Sequence, residues 1–148
     1  LAAFNKFNLT VQNLVRGVHN LNSDAVLVAL YTAAVAPAAT DIVYATTLAG
    51  GAIENTTGNG YTAGGNTGGA SISSNAAGTE TVKTTSAIPV WTASTAGFSL
   101  RYVVAYNNTT ALKNLLGWWD YGSTLTLNGA NGDTFTVTGL NTSIFTLV

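Results

Sequence analysis

The sequence predicts a mainly β protein: one antiparallel, jelly-roll-like β-sandwich over residues 1–148, with an N-terminal α-helix and a long Gly-rich loop. Three observations carry this. Short segments rich in Thr, Val, Leu and Phe recur from Asp24 onward, which is strand composition. One segment, near the start, has helical spacing. Residues 50–78 hold few large apolar groups, so they bury too little surface to offset the entropy of ordering them as a core element.

The helix is expected over Leu9–Leu21, "LTVQNLVRGVHNL". Val11, Leu14, Val15 and Val18 recur on one side and form the expected docking face, leaving Gln12, Asn13 and Arg16 wet. Asn8 or Thr10 is positioned to cap its start, and Gly17 weakens it by about 1 kcal/mol relative to Ala. "AVLVALYTA" (Ala25–Ala33) is apolar on both faces, as in a strand buried within a sandwich. Gly50–Gly78 is expected as a loop with at most a short strand at Ala70–Ser73, and Tyr61 as the anchor of its "GNGYTAGG" stretch on a neighbouring surface. "TETVKTT" and "AIPVWTA" follow as strands, Pro89 falling at an edge or a strand start. "FSLRYVVAY" (Phe98–Tyr106) reads as interior, followed by "LLGWWDYG", "STLTLNG", "DTFTVTG" and "TSIFTLV". "NGANGD" (Asn128–Asp133) is a hairpin signal, because Asn-Gly readily supplies positive φ. No repeat and no charged or Pro-rich linker divides the chain, which predicts one domain.

"LLGWWDYGS" poses a problem of sidedness. Strict alternation puts Leu116, Trp118 and Asp120 on one face and Leu115, Trp119 and Tyr121 on the other. Trp118 is then the core residue, unless a bulge at Gly117 reverses the sides. Trp119 and Tyr121 then share the opposite face, which raises the question of what covers the second tryptophan.

Charge excludes several functions. Hydrophobic residues make up 47% of the 148, and charged ones 7%, against about 25% in an average soluble domain. Five Lys+Arg against six Asp+Glu give a net charge of -1, too weak for nucleic acid or an anionic membrane surface. So little charge opposes self-association weakly, which fits an assembled state, while the abundant Thr, Asn, Ser and Gly fit equally a free protein hydrated by its polar side chains. The chain has no cysteine, so thiolate metal sites and disulfides are excluded. The apolar run Ala25–Ala39 is broken by Thr32 and Pro37 and is short for a membrane span. The opening "LAAFNKFN" has no apolar stretch after Lys6 and does not read as a secretory signal.

Catalytic signals are sparse. His19 is the sole histidine, set near the helix end, where the helix dipole alone accounts for it. Asp24, Asp41, Glu54, Glu80, Asp120 and Asp133 show no spacing that singles out a pair. "GNGYTAGG" lacks the Lys of a phosphate loop. The expectation is no catalytic residue, no metal and no cofactor.

The chain resembles small structural proteins of tailed double-stranded DNA bacteriophages. "FNKFN", "VHNL", "YTAA", "GNGYTAGG", "RYVVAYN", "LLGWWDYG" and "GDTFTV" carry the resemblance over nearly the whole length, the fourth and sixth being the distinctive ones. It implies a non-enzymatic virion component: a capsid cement or decoration protein bound across joints between major capsid protein subunits, acting as a homo-oligomer on the capsid surface. Tyr61, Trp119 and Tyr121 are the candidate partner contacts. Two alternatives stand beside it, a tail component (tube, tip or fibre) and a carbohydrate-binding module that stacks sugar on Trp119 and Tyr121 beside Asp120.

Overall fold

The computed structural model describes residues 3–85 and 88–147. Leu1 and Ala2 of "LAAFNKFN", Ala87 of "AIPVWTA" and Val148 of "TSIFTLV" therefore lie outside the described residues. The protein is mainly β. Its strands are β1 (Phe4–Lys6), β2 (Ala25–Tyr31), β3 (Asn66–Ala76), β4 (Thr79–Thr84), β5 (Val90–Thr92), β6 (Phe98–Asn107), β7 (Leu115–Leu127), β8 (Thr134–Thr136) and β9 (Phe145–Leu147). One helix, α1 (Asn8–Val15), follows β1. Seven strands form one antiparallel sheet in the order β1-β7-β6-β2-β3-β4-β9, and β5 pairs with β8 as a separate ribbon. The sheet curls until its two edge strands meet, with Phe4 of β1 stacked on Phe145 of β9 at 5.3 Å between ring centroids. The result is nearly a closed barrel.

The middle strands β2, β6 and β7 are apolar on both faces, so two cores form. Inside the curl, Val26, Val28, Leu30, Leu100, Val103, Leu116 and Trp119 pack against Trp91 and Phe135 of the ribbon. Outside it, Ala29, Tyr31, Tyr102, Val104, Tyr106 and Leu115 pack against Phe7, Leu48 and Ala52. Leu48 and Ala52 belong to residues 32–65, an excursion between β2 and β3 that lies over the outer face as a cover.

Two bulges decide which side chain faces which core. In β6 the register with β7 shifts between Leu100 and Tyr102, so Leu100 and Val103 both point inward across the break. In β7, Ala105 of β6 pairs with Gly117 and Tyr106 with Leu115, and the ladder skips Leu116. Leu116 and Trp119 consequently share the inner core, while Leu115 and Trp118 share the outer one. The sides predicted by strict alternation are reversed. Trp119 is 3% exposed and is a core residue, and Trp118 is the half-buried one, covered by Phe7 at 4.6 Å between ring centroids. A Cβ at Gly117 would lie 2.2 Å from the Phe4 ring, so the bulge position requires glycine.

The same bulge explains the helix. Thr10 is buried, and its hydroxyl donates to the carbonyl of Leu116 at 2.8 Å, the residue that the ladder skips. This turns the helix opposite to its expected orientation. Thr10 and Asn13 face inward and Leu14 is half-buried, whereas Val11, Val15 and Val18 are exposed, Val15 at 84%. The helix also stops at Val15 rather than reaching Leu21, because Gly17 takes a left-handed conformation (φ 69°). Neither Asn8 nor Thr10 caps it: the N-cap is Phe7, with no side-chain cap bond.

Three further expectations are corrected. β3 extends over 11 residues, so the Gly-rich region becomes regular from Asn66. "LLGWWDYG" and "STLTL" are one 13-residue strand. "NGANGD" is no hairpin: a 3-10 turn at Gly129–Asn131 carries the chain from the large sheet to the ribbon. Asn128 and Asp133 close that turn, Asn128 Oδ1 accepting from Ala130 N at 2.9 Å and Asp133 Oδ2 from Asn128 N at 2.8 Å.

Trp119→Ala is expected to destabilise the fold by about 3–5 kcal/mol in chemical denaturation, the cost of emptying a packed aromatic site. Thr10→Val should cost about 1–3 kcal/mol by leaving the Leu116 carbonyl without its donor. Val15→Asp, at a fully wet position, should stay within about 0.5 kcal/mol of the parent.

Candidate functional site

A groove of about 390 Å³ opens between β7 and the ribbon, lined by Val103, Trp119, Asp120, Tyr121, Phe135, Thr136 and Thr138. Its walls follow from β7. Trp119 sits in the inner core, with the edge of Phe4 against it at 5.2 Å. Tyr121, two residues on, emerges from the same face and is 54% exposed, leaning edge-on against Phe135 at 6.2 Å. The exposed threonines of β8 and of the strand's continuation add hydroxyls to the rim. The structure thus brings two of the three expected contact residues together, one as wall and one as exposed ring.

Asp120 is fixed by its own chain. Arg101 grips it with two bonds, Nε to Oδ1 at 2.9 Å and a terminal guanidinium nitrogen to Oδ2 at 3.0 Å, and Gly122 N donates to Oδ1 at 2.8 Å. The Arg101 hydrogen bond, chiefly, holds its carboxyl below the usual range, so Asp120 is an anion at neutral pH. The pair is partly wet, and its net worth is small.

Tyr61 belongs elsewhere. It is 2% exposed and enters the inner core between Trp91 and Phe98. Its hydroxyl donates to Glu54 Oε1 at 2.5 Å and accepts from Leu30 N at 3.0 Å. The expected partner contact is therefore an internal anchor, bonded within its own chain. Gly65 of the same motif approaches β2 so closely that a Cβ would lie 1.9 Å from the Val28 carbonyl oxygen.

Glu54 is the centre that sequence reading missed. Its buried carboxylate accepts from Tyr61, from the Tyr44 hydroxyl at 2.6 Å and from Gly64 N at 2.7 Å. Burial first, and then the Glu54 charge, pushes Tyr106 up to about 12 and also raises Tyr31 and Tyr61. All of them stay protonated at neutral pH and can donate. No spacing in the chain reveals that these tyrosines converge on one acidic residue.

A second polar cluster ties residues 19–24 to residues 107–109. Asn107 Nδ2 donates to Asp24 Oδ2 at 2.5 Å and meets His19 Nδ1 at 3.1 Å, while Asn107 Oδ1 accepts from Thr109 N at 2.9 Å. The last bond fixes the amide orientation, so Nδ1 of His19 is the acceptor and its proton sits on Nε2. Among the described residues that nitrogen has no hydrogen-bond partner, although it is buried. Burial depresses the His19 pKa below 6.5, with the Asp24 charge opposing it more weakly.

Asp41 and Asp133 likewise accept main-chain hydrogen bonds. Among the described residues no three of His, Cys, Asp and Glu group as a metal site would need, and no helix is long and apolar enough to cross a membrane. Comparison with protein-family models, curated proteins and solved structures gives no match.

The depressed pKa fixes the sign of one pH effect. As pH falls through 6.5 the unfolded chain takes up the His19 proton before the folded one does. The contribution is complete above that pH and is lost as pH falls toward the folded-state value. Melting temperature should therefore drop between neutral pH and about pH 5, where carboxylates still titrate little. His19→Asn, which keeps an acceptor for Asn107, should flatten that drop; an unchanged slope would contradict the assignment.

Proposed function

We propose that this chain is a non-enzymatic bacteriophage virion structural protein, a capsid cement or decoration protein that binds as a homo-oligomer across joints between major capsid protein subunits. The observation that carries the reading is the half-exposed Tyr121 over an apolar groove, on a chain whose charge is 7% of its residues. Such a surface can form wide contacts with little charge to desolvate. Five of its six carboxylates accept hydrogen bonds within the fold, which leaves little for acid–base chemistry. The sandwich belongs to the same reading, with the β5–β8 ribbon as a short second layer facing the curled sheet.

The motifs that carry the phage resemblance have internal duties: "GNGYTAGG" seats Tyr61 and brings Gly65 against β2, and "GWWDYG" holds the β7 bulge. The contact itself is assigned to Tyr121, with Trp119 as the wall behind it and Tyr61 withdrawn.

One feature favours a second reading, carbohydrate binding. Tyr121 and Phe135 offer ring surface beside the hydroxyls of Thr136 and Thr138, a combination that suits a sugar's apolar face and its hydroxyls. A tail location remains an alternative placement within the virion.

One experiment separates these readings. Quantified on purified particles, the protein should be present in the high copy number of a shell component. Tyr121→Ala should lower that occupancy, since losing a central aromatic anchor costs about 2 kcal/mol or more. The melting temperature of the free protein should not change. Undiminished occupancy, or Tyr121-dependent retention on immobilised glycans, would overturn the cement reading, and the second result would establish the sugar-binding one.

A further inference from the structure

We propose that the seam between the two free sheet edges, β1 and β9, receives an extended, acidic segment of a shell protein as an added strand. The inference rests on the virion reading and supplies it with a second contact surface, one that shares no lining residue with the Tyr121 groove.

Three independent features converge on the seam. Among the described residues β1 pairs only with β7 and β9 only with β4, so each leaves one row of main-chain donors and acceptors open. The Phe4–Phe145 stack draws these edges together without any main-chain pairing between them. Beside them lies a groove of about 260 Å³ whose lining includes Phe4, Lys6, Val11, Leu14, Phe145 and Leu147. The helix above it presents apolar Val11 and Val15 to water while burying Thr10 and Asn13. Exposed apolar residues at this spacing make a stripe that a partner's side chains can cover.

Charge selects the occupant. Lys6 is the one charged residue of the groove lining, and exposed Arg16 follows Val15. Among the described residues neither forms an ion pair. Lys6 in the groove lining favours a carboxylate on the incoming segment over a neutral or basic one. A foreign strand that alternates apolar residues toward the groove with Asp or Glu toward Lys6 satisfies the edge, the groove and the charge together.

Selection of a displayed library of short random peptides on the intact protein tests this. Enriched peptides should alternate apolar residues and carry a carboxylate. Their binding should slow amide exchange at residues 4–6 and 145–147. Lys6→Glu should weaken them by about tenfold or more, and replacing the peptide carboxylate with Lys should restore binding. Val11→Asp should also abolish binding, with an unchanged melting temperature as the control for folding. The proposal is overturned if no peptide is enriched, if bound peptides leave those amides unprotected, or if the charge swap fails to restore binding. Sedimentation showing self-association that Val11→Asp abolishes would overturn it in favour of a second copy. Tyr121-dependent particle occupancy is read separately, so the two readings can fail independently.

Discussion

Strands β2, β6 and β7 carry large apolar side chains on both faces, and this double-sidedness governs the rest of the molecule. A sheet of this kind needs two covers. The inner one is cheap in chain length, because curling the sheet and adding the β5–β8 ribbon encloses that face. The outer one must come from irregular chain, whose ordering costs about 1–2 kcal/mol per residue in backbone entropy. Residues 32–65 supply it, and the buried carboxylate of Glu54 holds it in place by collecting Tyr44, Tyr61 and Gly64. Lys113 stands over the Tyr44 ring at 5.5 Å. A carboxylate buried this way is tolerable because three donors replace its water.

The sequence revealed the composition of this arrangement but not its connections. The β class followed from segment composition, and the double-sided β2 from its unbroken apolar run. The sides of β7 did not follow, because a single skipped residue at Leu116 inverts everything beyond it, and no local pattern signals the skip except Gly117. The helix face was misjudged for the same reason: a hydroxyl needed at the bulge outweighed an apolar stripe. Tyr61 looked like a surface anchor because its neighbours are glycines. Two of those glycines let the main chain approach its neighbours, Gly60 against Thr92 and Gly65 against Val28 of β2, and the ring goes inward between them. In the candidate site, Tyr121 was legible as an exposed aromatic, whereas the groove beside it depends on β8, which pairs with a strand far away in the chain.

These corrections change what an assembly role would require. With Trp119 and Tyr61 committed to the interior, contact energy must come from fewer and more separated features: the Tyr121 groove, and the apolar stripe of the inverted helix beside the seam. Both lie on a body stiffened from within by buried polar clusters, so a partner would meet preformed surfaces and lose little ordering entropy there. Sparse charge suits such contacts, and it also explains why the few charged residues present are mostly spent on turns and anchors.

The central claim is that the chain covers its own outer face through Glu54, and native-state hydrogen exchange on the isolated protein tests it directly. In a Glu54→Ala variant, amides of the covering excursion, such as Tyr44, Leu48, Glu54 and Gly64, should lose protection, while β6 and β7 amides facing the inner core keep theirs. Protection of the excursion unchanged from the parent, or already absent in the parent, would contradict the claim and return the outer face to a partner.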